Sequence, residues 1–304
     1  MSATWLPTFL HVVVAELPPP PPPAAWKLSW ADDFQTGPSL NASTWNVKQN
    51  ETHCSPCELQ LYVEDGVRVR DSFLEIATRR QRVAGPHGAP YNFSSGWVDT
   101  KSKFSQRLGR FEANCSLPSN AASGIWPAFW LLPDDESQCW PTGGEIDVFE
   151  MVGNALVDEI FGSYHWGVAC DEDKAPIPGA GYHPPGSVRE WQARWHVYGV
   201  EWREDRLDYF VDGVRYFTRT NKSVALPTAK MFVIFNQAIS PTLFPPPANS
   251  TPGAPDAYDG DGATLRVAWV RAYTDVSNAR ATAKQINAAP VVARAVRSSA
   301  KAIQ

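Results

Sequence analysis

The chain of 304 residues lacks any apolar run approaching the roughly 20 residues that a membrane-spanning helix needs. It also lacks a basic excess. Against 32 Asp and Glu it carries 27 Lys and Arg, a net charge of −5, which gives no electrostatic footprint for nucleic acid. Strong helical periodicity and internal repeats are missing too, which argues against bundles and solenoids. Cysteine is sparse: Cys54, Cys57, Cys115, Cys139 and Cys170. Cys54-Ser-Pro-Cys57 has the spacing of a redox motif, but no βαβ pattern surrounds it and no second pair completes a zinc site. The two read as a local disulfide or as structural cysteines. In an oxidising compartment the five would form up to two disulfides and leave one thiol, with the pairing open.

What the chain has in quantity is Trp (13), Pro (27) and Gly (20), the composition of short strands joined by turns. Alternating segments run over Lys27 to Phe34, Glu58 to Val63, Phe73 to Thr78, Gly109 to Cys115, Ala128 to Leu132 and Glu145 to Met151. They continue over Trp195 to Trp202, Leu207 to Val211, Val214 to Thr218, Lys230 to Ala238 and Leu265 to Tyr273. Asp212-Gly213, between two of them, is a two-residue hairpin signal. The pattern predicts an all-β sandwich of two antiparallel sheets. Cys170 to Ser187 and Phe244 to Gly262 read as loops at the sandwich edge.

Residues 1–25 hold a weak signal-like apolar stretch, Phe9 to Ala15, and the unbroken proline run Pro18 to Pro23, a stiff extended spacer. Residues 26–274 form the folded domain. Residues 275–304 are an Ala-rich basic tail outside it. Asn-x-Ser/Thr acceptors begin at Asn41, Asn50, Asn92, Asn114, Asn221 and Asn249, more than the one or two that chance would place. The excess points to a secreted or cell-wall protein.

The most informative stretch is Gly144-Glu145-Ile146-Asp147-Val148-Phe149-Glu150. In a strand Glu145 and Asp147 share a face, and Glu150 has the wrong parity. One extra residue, a β-bulge, would bring all three to one face. Glu145 and Glu150 are then about four strand steps apart, and side chains leaning inward leave roughly 5 to 6 Å between their carboxyl groups. That matches a retaining glycosidase, which needs about 5 to 5.5 Å, better than an inverting one. An acidic strand face is as often simply solvated, and three carboxylates could hold calcium, although no ligand loop of the usual kind accompanies them. Nearby Trp126, Trp130, Trp140, His165 and Trp166 favour a sugar cleft, because sugar C–H faces pack on indole. Any single Trp is more often core, so the expectation is that at least two of them line the cleft.

GEIDVFEMVG resembles the active-site signature of glycoside hydrolase family 16 in its bulged, laminarinase-like form, E-[ILV]-D-x-x-E. The similarity extends through WKLSWADDF (from Trp26), CELQLY (from Cys57), Thr100 to Leu132, Ser163 to Trp166, Trp195 to Trp202, Tyr209 to Gly213 and Leu265 to Tyr273. The resemblance implies a jelly-roll β-sandwich with a concave glycan-binding cleft and retaining endo-hydrolysis of β-1,3-glucan. It implies Glu145 as nucleophile, Glu150 as acid/base and Asp147 as the assisting carboxylate, with Trp126, Trp130 and His165 lining the cleft. The family's Asn-Glu before Leu-Gln is Cys57-Glu58 here, and Asn50 is the candidate replacement sugar contact. The family's calcium ligand in the last strand is Ala268, so no metal or cofactor is expected. The expected partner is a β-glucan, bound by a monomer with no membrane span. A transglycosylase and a non-catalytic glucan-recognition module are the competing readings.

Overall fold

A computed structural model describes residues 25–277 apart from 36, 38, 54–57, 89, 119–123, 152–158, 176–178, 187 and 241–261. The signal-like segment, the proline run, the Cys54/Cys57 pair, most of the expected 244–262 loop and nearly all of the basic tail lie outside these residues. The first strands are β1 (Trp26–Asp32), β2 (Asn46–Val47), β3 (Gln60–Tyr62), β4 (Val67–Arg70), β5 (Phe73–Ala77) and β6 (Arg79–Ala84). Then come β7 (Pro90–Ser95), β8 (Trp97–Asp99), β9 (Ser105–Gln106), β10 (Gly109–Ser116), β11 (Ile125–Pro133) and β12 (Glu145–Met151). The remainder are β13 (Ile160–His165), β14 (Ala180–Tyr182), β15 (Trp195–Trp202), β16 (Arg206–Val211), β17 (Val214–Thr220), β18 (Met231–Ile239) and β19 (Thr264–Asp275). A five-residue helix, α1 (Val188–Gln192), lies between β14 and β15.

Two eight-stranded sheets carry the fold. One has the order β17-β16-β15-β10-β19-β5-β4, with β1 also pairing β19. The other has the order β14-β13-β12-β11-β18-β8-β2, with β9 also on β18. Every pair in both is antiparallel, as the alternating pattern predicts. A third sheet, β3-β7-β6, was not foreseen, and in it β3 runs parallel to β7.

Period-two alternation sends one set of side chains from each large sheet into a shared core. Phe111, Ala113, Tyr198, Val200, Trp202 and Tyr209 come from the first sheet, and Phe129, Leu131, Ile146, Phe149, Val233 and Phe235 from the second. Phe129 stacks on Phe235 with ring centroids 4.6 Å apart and meets Phe149 edge-on at 6.3 Å. The Asp212-Gly213 turn forms as expected, with φ of 49° and 77°; the positive value at both positions selects Gly at the second.

Eight strands fall outside the alternating segments of the sequence: β2, β4, β6, β7, β8, β9, β13 and β14. The expected loop over 170–187 contains β14, a three-residue edge strand on β13. A Cβ added at its Gly181 would meet the Glu159 carboxylate, which would have to swing aside. Cys139 and Cys170 form a disulfide with Cα atoms 5.5 Å apart, and Cys115 is buried as a free thiol.

Phe129 fills the middle of the sandwich, so Phe129→Ala is expected to destabilise the fold by about 3–5 kcal/mol. Urea unfolding followed by Trp fluorescence checks this; a loss below about 1 kcal/mol would mean that the two sheets do not pack through this ring.

Candidate active site

Strand β12 lies near the centre of its sheet, between β11 and β13. Its register slips between Asp147 and Glu150: Asp147 pairs with Ser163 but Glu150 pairs with Phe161, three residues of advance against two. The same slip appears on the other side, where Phe129 pairs with Phe149 and Trp130 with Asp147. One extra residue is therefore accommodated, and its effect on the side chains is visible. Ile146, Val148, Phe149 and Met151 all enter the core, while Glu145, Asp147 and Glu150 share the opposite face. Gly144, just before the strand, has a φ of 80° that only glycine adopts easily.

Each glutamate has its own donors. Trp140 Nε1 donates to Glu145 Oε2 at 2.6 Å. Trp126 Nε1 donates to Glu150 Oε1 at 2.9 Å, and the Ser163 hydroxyl donates to Glu150 Oε2 at 3.1 Å. Asp147 is 2% exposed, and its Oδ2 lies 3.2 Å from His165 Nε2, an ion-pair distance although the ring N–H is not well aimed at the oxygen. The other ring nitrogen, Nδ1, is 2.6 Å from Asp173 Oδ2.

This geometry sets the charges. Burial, followed by the Asp147 charge, pushes Glu150 up to about 7, against the pull of His165 and the donors from Trp126 and Ser163. Glu145 is raised well above the usual carboxylate range by burial, then by Asp147 and Glu150, with His165 and the Trp140 N–H opposing. For His165, burial disfavours the charged ring, but Asp147, Glu145 and Asp173 overcome it and hold the imidazolium up to about 11. Three acids facing one cation leave an excess of negative charge that a proton on one glutamate relieves. Indole N–H groups can only donate, whereas the Ser163 hydroxyl can turn and accept. Glu150 is thus the glutamate whose surroundings suit both protonation states.

Among the described residues, Glu145, Asp147 and His165 have ligand-type atoms all within 4.8 Å of one another. In its protonated form the His165 imidazole has no lone pair to give a metal and instead pairs with Asp147 at 3.2 Å.

The aromatic residues divide. Trp126 and Trp140 both reach the acids, and Trp140 is 42% exposed. Trp130 does not fit the expectation of a sugar platform. It is 5% exposed, packed edge-on to Trp97 at 5.2 Å and under His53 at 5.5 Å, with its N–H on Asn236 at 2.8 Å. Trp166 packs against the main core, because strand alternation puts Ser163 and His165 on the acid face and Tyr164 and Trp166 on the other. Asn50 is exposed, holds φ at 59° and donates its backbone N–H to Tyr62 O at 2.9 Å; its described contacts do not include the acids. Ser163 and Asp173 were not singled out from the sequence. Ser163 sits two residues before His165 on the same strand face, a signal that could have found it; Asp173 lies in a loop and gave none.

The sequence profile of glycosyl hydrolases family 16 matches residues 42–242. The chain is 31% identical over 281 residues to the glucan endo-1,3-beta-glucosidase A1 of Niallia circulans, covering 85% of this chain but 39% of that protein. It is 32% identical over 212 residues to the beta-glucanase of Rhodothermus marinus, covering 67% of this chain and 69% of that one. In three dimensions it superposes on the laminarinase catalytic domain from Thermotoga maritima with a TM-score of 0.68 at 27% identity, over 82% of this chain and 98% of the other. The two large antiparallel sheets are thus those of the family's jelly-roll structures. The profile match spans more than half of the chain, through both sheets and the acidic strand, and the chain belongs to glycosyl hydrolases family 16.

Proposed function

We propose that this protein is a retaining endo-β-1,3-glucanase acting on laminarin-type β-glucans. The observation that carries the reading is a strand whose bulge sets Glu145, Asp147 and Glu150 on one face, with an indole N–H on each glutamate. In the first step Glu145 attacks the anomeric carbon while Glu150 gives its proton to the departing glycosidic oxygen, leaving a glycosyl ester on Glu145. In the second, Glu150, now a carboxylate, takes a proton from water as that water attacks the same carbon and frees Glu145. Asp147, held beside His165, keeps negative charge next to both glutamates and so favours a proton on one of them. Trp140, half exposed beside Glu145, offers an indole face to a glucose ring.

An extracellular site of action fits the disulfide between Cys139 and Cys170 and the exposure of the acceptors Asn41, Asn50, Asn92 and Asn221.

The decisive experiment incubates the protein with laminarin, follows new reducing ends and chain lengths, and reads the anomer of the first products by NMR. New ends in the β configuration support the reading. The α configuration would overturn retention, chain-length redistribution to longer products would reassign the protein to transfer, and binding without products would make it a recognition module. Glu145→Gln and Glu150→Gln should each lower kcat on laminarin by several orders of magnitude, and near-normal turnover in Glu145→Gln would remove it as nucleophile.

The kcat/KM profile should fall as pH rises through about 7, where Glu150 loses the proton that it must donate. A rate still climbing at pH 9 would contradict that role. Stability should move the other way on substitution. A carboxyl raised in the fold binds its proton more tightly there than in the unfolded chain, so native Glu150 costs stability as pH rises from the ordinary glutamate range to about 7. Glu150→Gln should therefore raise Tm at pH 8 and lose that advantage by about pH 4. An unchanged Tm difference across that range would show that the glutamate is not perturbed.

A further inference from the structure

The two loops beside the acids are fastened to each other. The first, between β11 and β12, carries Cys139 and Trp140; the second, between β13 and β14, carries Cys170 and Asp173. The Cys139–Cys170 bridge spans 31 residues of sequence, and next to it Asp171 N donates to Trp140 O at 2.9 Å. The loops also meet at Gly167, where an added Cβ would come within 2.9 Å of Pro141 Cγ. From the first loop Trp140 reaches Glu145 at 2.6 Å. In the second, Asp173 Oδ1 accepts the backbone N–H groups of Trp166 at 3.3 Å and Ala175 at 3.0 Å, which leaves Oδ2 for His165 Nδ1 at 2.6 Å.

We infer that Cys139, Cys170 and Asp173 are positioning residues: the bridge aims Trp140 at Glu145 and Asp173 at His165, and so sets which acid of the site holds the proton. The inference rests on the glucanase reading for its kinetic consequence. Its physical basis is conformational. Trp140 is 42% exposed and its ring leans on His165 at a centroid distance of 6.0 Å, and an untethered surface loop spreads over many conformations. A crosslink removes most of that spread. Groups facing Glu145 are Asp147 and Glu150 from its own strand, His165 from β13 and the Trp140 N–H. Those facing His165 are Asp147 and Glu145 from β12 and Asp173 from the second loop. Opening the bridge therefore weakens one group favouring ionised Glu145 and one favouring charged His165. A weaker cation at His165 in turn raises both glutamates further.

The test compares wild type with Cys139→Ser/Cys170→Ser and with Asp173→Asn. It uses two readouts, the pH–rate profile on laminarin and the NMR titration of His165, assigned by its absence in His165→Gln. The double variant should lose about tenfold or more in kcat with a smaller change in KM. The acid limb of its profile should move up by about half a pH unit or more. In both variants His165 should titrate well below about 11. Wild-type limbs and wild-type titration, with only Tm lowered, would overturn the inference and leave the bridge purely structural. If the double variant does not fold, Asp173→Asn decides, since it keeps the bridge and removes the carboxylate charge that faces His165. If wild type leaves laminarin untouched, the glucanase reading falls, and the His165 titration still decides the positioning role.

Discussion

Mutual repulsion among three carboxylates on one face of one strand is the constraint on which the site depends. Asp147 is nearly fully buried, and Glu145 and Glu150 are half-buried between neighbouring strands, so water screens them poorly. Each neighbouring element supplies part of the answer. His165 on β13 brings a positive charge, Trp126 and Trp140 bring indole donors, and Asp173 keeps the imidazole charged. What cannot be offset is met with a proton, and a retained proton near neutral pH is what a general acid requires. The features that make the strand electrostatically costly are the same ones that suit it to acid/base work.

The wider fold answers to this strand. The core behind it is stiff: Phe149 sits against Tyr198 at 4.5 Å and Phe129 at 6.3 Å, and Tyr209 from the opposite sheet donates through the core to Ser163 O at 2.6 Å. That bond ties the strand carrying Ser163 and His165 to the far sheet. On the same sheet, across β11 to β8, Trp97 and Trp130 are closed over by His53, with the Lys48 ammonium 4.0 Å from the Trp97 ring centre. Burial there also pushes His53 down to about 4, with Lys48 adding to it, so this side of the face carries a neutral imidazole where the acid side carries a charged one.

Much of this was legible in the residues. The parity conflict at Glu150 required one extra residue, and the strand register contains it. The Asp212-Gly213 turn and the boundaries of the β12 and β15 strands were readable because alternation and turn chemistry agree there. The strands that went unread have weaker patterns. Arg79-Arg80-Gln81-Arg82 is polar on both faces, and Ile160 to His165 is buried on nearly every residue and so shows no alternation. Among the aromatic residues, composition could say that some Trp belong near the acids but not which. Trp126 and Trp140 reach the acids, while Trp130 and Trp166 are taken by packing, and only the strand pairings separate them. Asp173 acts across a loop whose path no local pattern encodes.

The bulge makes β12 intolerant of changes in length as well as in chemistry. Val148 and Phe149 both point into the core because the strand slips phase between them and the acids. Removing one residue there would restore regular alternation and rotate everything beyond it by half a turn. Glu150 would then face Phe129 and Tyr198, and Met151 would take the face that carries Glu145 and Asp147. In this segment a length change is a frame error: every residue type could survive in sequence while the acid and the core exchanged places.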